Sequence, residues 1–191
     1  MAENDLVIDA CALINLFSTE DEDRLIAALD VRLVTSLQAK GEVGYRRGPP
    51  DEDGEPTRIP LQPDRLVAAG TLHVRELIGT LQDAFVRAVA VGLRDADASV
   101  VALAGETNAA LASDDNRVRK LAPKLYPHIA LRSTLGLVRT ATARLRLPEA
   151  ELRLLLRRLR MNGNFMPPKN DEHSTWFADL TQDEEPEGSG N

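Results

Sequence analysis

Apolar positions along the chain come in two spacings that alternate. Leu6-Val7-Ile8, Val31-Arg32-Leu33-Val34-Thr35, Thr71-Leu72-His73-Val74 and Ala109-Ala110-Leu111-Ala112 are short runs of the kind that form buried strands. Between them lie longer stretches with helical spacing. One follows Ile8 directly and runs through Phe17, after which Ser18-Thr19-Glu20-Asp21 offers caps for a helix over Glu22 to Leu29. Ser36 is placed to cap a helix carrying Glu42, helical periodicity returns from Ile78 to Val91, Asp97 opens a helix through Ala104, and another runs from Asn116 to about Leu121. Strands alternating with helices predict βαβ units: an α/β fold with a mostly parallel sheet of about four to five strands flanked by helices on both faces.

The pattern changes beyond residue 134. Leu135 to Leu145 reads as one helix, and Pro148 to Met161 as a second, with Pro148 suited to a first turn and Gly163 just past the end. The remainder reads as irregular to Asn191. The chain therefore divides into an α/β unit over 1–134, a helical extension over 135–178 packed on it, and an acidic tail over 179–191 whose Gly- and Ser-rich composition predicts disorder. The stretch from Gly48 to Pro63 holds five prolines around Asp51-Glu52-Asp53-Gly54-Glu55 and reads as an exposed loop.

Composition narrows the setting. At 191 residues and 43% hydrophobic content, the chain supports one ordinary core. Its one cysteine, Cys11, forms no internal disulfide and reads as a small buried apolar side chain, so a reducing, cytoplasmic location is expected. No signal peptide or spanning run is visible. A net charge of −7 weighs against nucleic acid, which is held largely through phosphate contacts. Asp179, Asp183, Glu184, Glu185 and Glu187 supply five of those charges from the tail, which leaves −2 for the body, and arginines concentrate between Arg144 and Arg160.

Asp9 stands out. It sits between Leu6-Val7-Ile8 and Ala10-Cys11-Ala12-Leu13-Ile14, where an ionised carboxylate has no local partner and its unpaired burial costs several kcal/mol. A metal ion shared with other acids would compensate it. Glu42, Asp97 and the Asp114-Asp115 pair lie in comparable settings, and Asp9 and Asp115 both fall just past strand ends, where ligands bind in parallel sheets. Acids without companion His or Cys suit Mg²⁺ or Mn²⁺ rather than zinc, since His73, His128 and His173 are isolated. Such ions support in-line displacement at phosphate.

These residues also carry a family resemblance. Leu6 to Asn15 resembles the opening strand of PIN domains, the fold of VapC-type toxin ribonucleases and related flap nucleases. Gly92-Leu93-Arg94-Asp95-Ala96-Asp97 and the small residues after it resemble the third acidic motif of the family, and Leu111-Ala112-Ser113-Asp114-Asp115-Asn116-Arg117 the fourth. The segment ending Leu159 to Phe165 resembles the C-terminal extension of one prokaryotic subgroup. The resemblance implies a PIN-like three-layer domain acting as a Mg²⁺- or Mn²⁺-dependent endoribonuclease. Asp9, Glu42, Asp97 and Asp115 would be its catalytic acids, with Asp9, Asp97, Asp115 and Asp114 at the metal. RNA is then the substrate, an antitoxin protein and a homodimer are the partners the family suggests, and no membrane is involved.

Plainer roles compete for the same residues. Asp95, Asp97 and Asp114 are the residue type that caps helices, whereas Asp9 offers no such easy alternative. Glu42 reads equally as a solvated helix residue. Asn15 and Ser113 would position water or a substrate phosphate, or serve as local hydrogen-bonders. Arg157 and Arg158 would track an RNA backbone, or form the solvated face of a helix that packs through Leu152, Leu155, Leu156 and Leu159. Phe165, Trp176 and Phe177 read as anchors for the C-terminal segment, and His73 as a strand residue without chemistry. Two rival functions follow: a catalytically inactive module that binds protein or RNA, and a metal-dependent phosphatase with a closed pocket.

Overall fold

Strand β1 (Asp5–Ile8) leads through α1 (Ala10–Ser18) and α2 (Glu22–Leu29) to β2 (Arg32–Ser36) in the computed structural model, which describes residues 4–168 and 170–182. Next come α3 (Leu37–Gly41), β3 (Tyr45–Pro50), β4 (Pro56–Pro60), α4 (Pro63–Ala68) and β5 (Leu72–Arg75). Helices α5 (Thr80–Ala90) and α6 (Asp95–Thr107) precede β6 (Ala110–Ala112), and α7 (Asn116–Leu125) precedes β7 (Leu131–Arg132). The last described elements are α8 (Thr134–Leu145), α9 (Glu149–Asn162) and α10 (Ser174–Thr181).

Five strands form one parallel sheet in the order β5-β2-β1-β6-β7. In β1 the side chains alternate between two cores. Leu6 and Ile8 join Leu13, Leu16, Leu25, Leu135, Leu156 and Leu159 on the face covered by α1, α2, α8 and α9. Val7, with Val34 and Leu111 of the adjacent strands, joins Ala88, Val100, Leu103, Val118 and Ala122 on the face covered by α5, α6 and α7. Burial on both faces is why these strands read as continuous apolar runs rather than alternating ones. The helical extension is part of the first core, since α9 inserts Leu155, Leu156 and Leu159, each almost inaccessible.

The strand order places the site. Successive connections lead outward from β1 to β2 and β5 on one side, then return to β6 and β7 on the other, so β1 and β6 flank the point where the sheet changes direction. In doubly wound sheets that crevice, beyond the carboxyl ends of the strands, is where ligands bind. The strands are sewn together there: the Asp9 amide donates to the Ala112 carbonyl at 3.1 Å, joining β1 to β6, and the Ser113 amide to the Arg132 carbonyl at 3.0 Å, joining β6 to β7.

Several expectations are corrected. The Gly48–Pro63 stretch is exposed, as expected, but it is mostly an antiparallel hairpin of β3 and β4. Its prolines are tolerated because a two-stranded ribbon has free edges on both sides, and the Asp51 carboxylate closes its tip by accepting from the Asp53 and Glu55 amides. Pro63, expected at the end of that loop, opens α4. Helix α3 is capped by Ser36 yet stops at Gly41, so Glu42 follows the helix instead of riding on it. The segment after α9 is not wholly irregular, for α10 packs back through Phe177, whose ring meets Phe165 edge-on at 5.5 Å. Asp179 therefore lies in a helix, and the rest of the expected tail, from 183 onward, lies outside the described residues. Cys11 is exposed rather than buried. Among the described residues, no helix is long and apolar enough to cross a membrane.

Candidate functional site

Four helix N-termini open onto the carboxyl edge of the sheet. Asp9 caps α1, Asp115 caps α7, Thr134 lies in the first turn of α8, and Asp97 lies in the first turn of α6. Each terminus carries partial positive charge, which favours carboxylates and phosphates alike. A parallel α/β fold concentrates such ends on one side, so this bias follows from topology.

Asp9 is 3% exposed. Its Oδ1 accepts from the Ala12 amide at 2.6 Å, so the residue does have a capping role that its sequence context did not suggest. Oδ2 is buried with no hydrogen-bond partner of ordinary geometry. Burial raises the pKa to about 7; the nearby Ser113 hydroxyl and the Ala12 amide pull it down, and the charges of Asp114 and Asp97 push it up. One half of this carboxylate is thus used by the fold and the other half is left over.

Asp114 is held more completely. Its Oδ1 accepts from the Thr134 amide at 2.9 Å, and its Oδ2 from Asn15 Nδ2 at 3.3 Å, tying β6 to α8 and α1. Burial raises its pKa against the pull of Thr134, Asn15 and Arg119. Ser113, fully buried, accepts the Asp115 amide on its hydroxyl at 3.2 Å and shapes the turn that separates the two aspartates. The Thr134 hydroxyl is the other buried, unpartnered side-chain polar atom among the described residues. Both orphaned atoms therefore belong to residues grouped around Asp114.

Asp97 and Asp115 share a cation. Arg94 places Nε 3.4 Å from Asp97 Oδ2 and Nη2 3.8 Å from Asp115 Oδ2. Burial raises the Asp97 pKa, and Asp115 and Glu42 add to the rise against the opposing Arg94 charge. Asp115 also caps α7, accepting from the amides of Arg117 at 2.7 Å and Val118 at 3.1 Å. Glu42 is exposed and interacts with Asp97 and Arg94 through charge alone, which puts it at the rim. Cys11 senses the whole group: its thiol is pushed up to about 11 by surrounding protein and by the charges of Asp9, Asp97, Asp115 and Asp114.

The structure therefore gathers Asp9, Asp97, Asp114, Asp115, Asn15 and Ser113 into one neighbourhood, with Glu42 at its edge. The expected capping roles are exchanged, since Asp9 and Asp115 cap helices whereas Asp97 and Asp114 do not. Arg157 and Arg158 stand apart on α9, where Arg158 pairs with Glu20 at 3.3 Å. No three acidic, histidine or cysteine side chains among the described residues converge closely enough, as placed, to hold one ion. In chemical terms the carboxylates fit a hard divalent cation, because Asp9 offers a buried oxygen with no hydrogen-bond partner near the carboxylates of Asp97 and Asp114.

Three contributors were not singled out in the sequence. Arg94 stands three residues before Asp97, the spacing at which helical side chains meet, and that spacing was a usable signal. Thr134 and Gly163 had none. Gly163, just past α9, lies so close to α1 that an added Cβ would stand 3.2 Å from Asn15 Oδ1, which brings the helical extension to the site's back wall. No protein-family model matches the chain, and no curated protein is significantly similar to it.

Proposed function

We propose that this chain is a PIN-like, divalent-metal-dependent endoribonuclease that hydrolyses RNA phosphodiester bonds. The observation that carries the reading is the unpartnered Oδ2 of Asp9, a buried carboxylate oxygen within the field of Asp97 and Asp114 at the switch point of a parallel sheet. A buried carboxylate oxygen left unpartnered calls for an explanation, and a bound cation supplies one. Asp9, Asp97, Asp114 and Asp115 would hold Mg²⁺ or Mn²⁺, with Glu42 at the rim. When bound, the ion supplies Lewis-acid polarisation of a phosphate oxygen.

The chain's own residues divide the remaining work. Asp9 and Asp114 are each fixed at one oxygen by a backbone amide, of α1 and α8 respectively, so their geometry is set before substrate arrives. Asn15 holds Asp114 from the side, and Ser113 sets the turn that aims Asp114 and Asp115 in different directions. The positive ends of α1, α6, α7 and α8 lower the cost of bringing a phosphodiester to an acidic site. Arg157 and Arg158, separate from the acids, would serve only a longer stretch of RNA backbone. A pairing with an antitoxin protein, or with a second copy, is part of the proposal on resemblance alone.

A cleavage assay on structured RNAs, with Mn²⁺ or with chelator, tests this on the wild type and Asp9→Asn. Mn²⁺-dependent cleavage that disappears in a folded Asp9→Asn protein is the expected result. Undiminished cleavage by that variant, or cleavage indifferent to chelator, would overturn it. One observation favours the non-catalytic reading: Arg94 already offsets part of the charge of Asp97 and Asp115, while Asp9 and Asp115 have structural work as caps. Mn²⁺-independent RNA or protein binding without cleavage would support that alternative.

A further inference from the structure

We infer that Arg94 is the resident counter-cation of the acid group and competes with a divalent ion for the carboxylates of Asp97 and Asp115. The inference rests on the proposed cation site and concerns how that site is kept when no ion is present.

Three observations carry it. First, the Arg94 guanidinium is the permanent cation between two acids from different elements, α6 and the N-cap of α7, and its own charge is reinforced by Asp97, Asp115 and Glu42 together. Second, it is held loosely. Its contacts of 3.4 and 3.8 Å contrast with the fork that Arg32 makes on Asp5, where both bonds are 2.7 Å. Its side chain is 72% exposed, and it donates no cap to α6, so it can leave without disturbing a helix. Third, the buried Oδ2 of Asp9, behind this layer, is reached by no cation and no donor of ordinary geometry. Arg94 compensates the outer acids and leaves the inner one uncompensated.

A divalent ion held by Asp9 together with Asp97 or Asp115 would draw on the same carboxylates that Arg94 now faces. Two cations at the same carboxylates repel each other, so binding of the ion works against the arginine's contacts. With the arginine turned out, the ion would hold these acids together against their mutual repulsion. Displaced, the guanidinium remains tethered at the mouth of the site.

The test is calorimetric titration of MnCl₂ into the chelator-stripped full chain at low salt, comparing wild type, Arg94→Gln, Arg94→Lys, Asp9→Asn and the Asp9→Asn/Arg94→Gln double variant. Arg94→Gln is expected to bind Mn²⁺ about five- to thirty-fold more tightly, the factor associated with one or two exposed ion pairs. Arg94→Lys, which keeps the charge, should stay nearer to wild type, and Asp9→Asn should abolish the tight phase in either background. Arg94→Ala serves in place of the glutamine should that variant fold poorly. Asp9-dependent binding of equal or weaker affinity in the neutral variants overturns the role of Arg94 and leaves the cation site standing. No Asp9-dependent binding in any protein overturns both.

Discussion

The two ends of β1 carry two buried carboxylates with opposite treatment. Asp5, at the amino end, is met by Arg32 directly across the sheet, with two 2.7 Å bonds that use both carboxylate oxygens. Asp9, just past the carboxyl end, is met by one backbone amide with the Ser113 hydroxyl nearby, and its other oxygen has no hydrogen-bond partner of ordinary geometry. The first arrangement is closed and asks for no ligand. The second is open, and the charges that act on it belong to other acids, Asp114 and Asp97. The difference is one of completion rather than burial: a paired buried acid is part of the fold, whereas a half-paired one at a switch point is a candidate for chemistry.

The comparison is broken most severely by Asp9→Asn. RNA cleavage should fall by about a thousandfold, the scale on which active sites lose a group that stabilises charge. Asparagine keeps the Oδ1 acceptor for Ala12, so the protein should remain folded, and its melting temperature in chelator at pH 7 should be no lower than that of wild type. A folded variant with wild-type cleavage would remove Asp9 from the site.

The next effect is in pH. Because the folded-state pKa of Asp9 is raised from 3.8 to about 7, the native protein retains a proton that the unfolded chain has released between those values. Stability should therefore fall as pH rises through that window, by about 4 kcal/mol from Asp9 alone, and level off above it. Asp97 and Asp114 are also raised and add in the same direction. Urea titrations of metal-free protein from pH 4 to pH 8 measure this, and Asp9→Asn should flatten most of the slope. A stability that climbs with pH across the window would contradict the open arrangement.

Asp5→Asn probes the closed end. It should lower the melting temperature by about 6 °C, since it removes a charge-assisted fork, and leave cleavage per folded molecule unchanged. Loss of cleavage beyond loss of folded protein would mean that the two ends of the strand are not independent. The smallest expected effect sharpens the contrast: Mn²⁺ at ten times its dissociation constant should raise the melting temperature of the wild type by about 4 °C, by mass action. Asp5→Asn should retain that increment and Asp97→Asn should lose it. Equal increments in all three proteins would place the ion elsewhere.

Much of the fold was already written in local patterning. The apolar runs at Leu6, Leu33, Leu72 and Leu111 are strands, and Ser36 caps the helix after it. Asp9 and the Asp114-Asp115 pair do end adjacent strands, because in a sheet buried on both faces hydrophobicity alone marks the strand and a polar residue marks its end. What escaped lacks a local mark. Strand β7 is two residues long and exists only because β6 offers it a ladder. The hairpin of β3 and β4 is exposed and rich in proline, so its pairing comes from two segments finding each other rather than from burial.

The site divides in the same way. The sequence by itself determined which carboxylates lie near strand ends, since that is a matter of where apolar runs stop. Only the tertiary structure decided how each is satisfied. Asp5 found Arg32 on the neighbouring strand, Asp114 found Thr134 and Asn15 on two helices, Arg94 bridged Asp97 to Asp115, and Asp9 kept one oxygen free. Cys11, in an apolar run, turned outward because the first turn of α1 faces the crevice. Apart from the Arg94–Asp97 spacing, these pairings join residues remote in the chain, and no local pattern encodes them; the order of the strands does, by choosing which chain ends meet at one edge of the sheet.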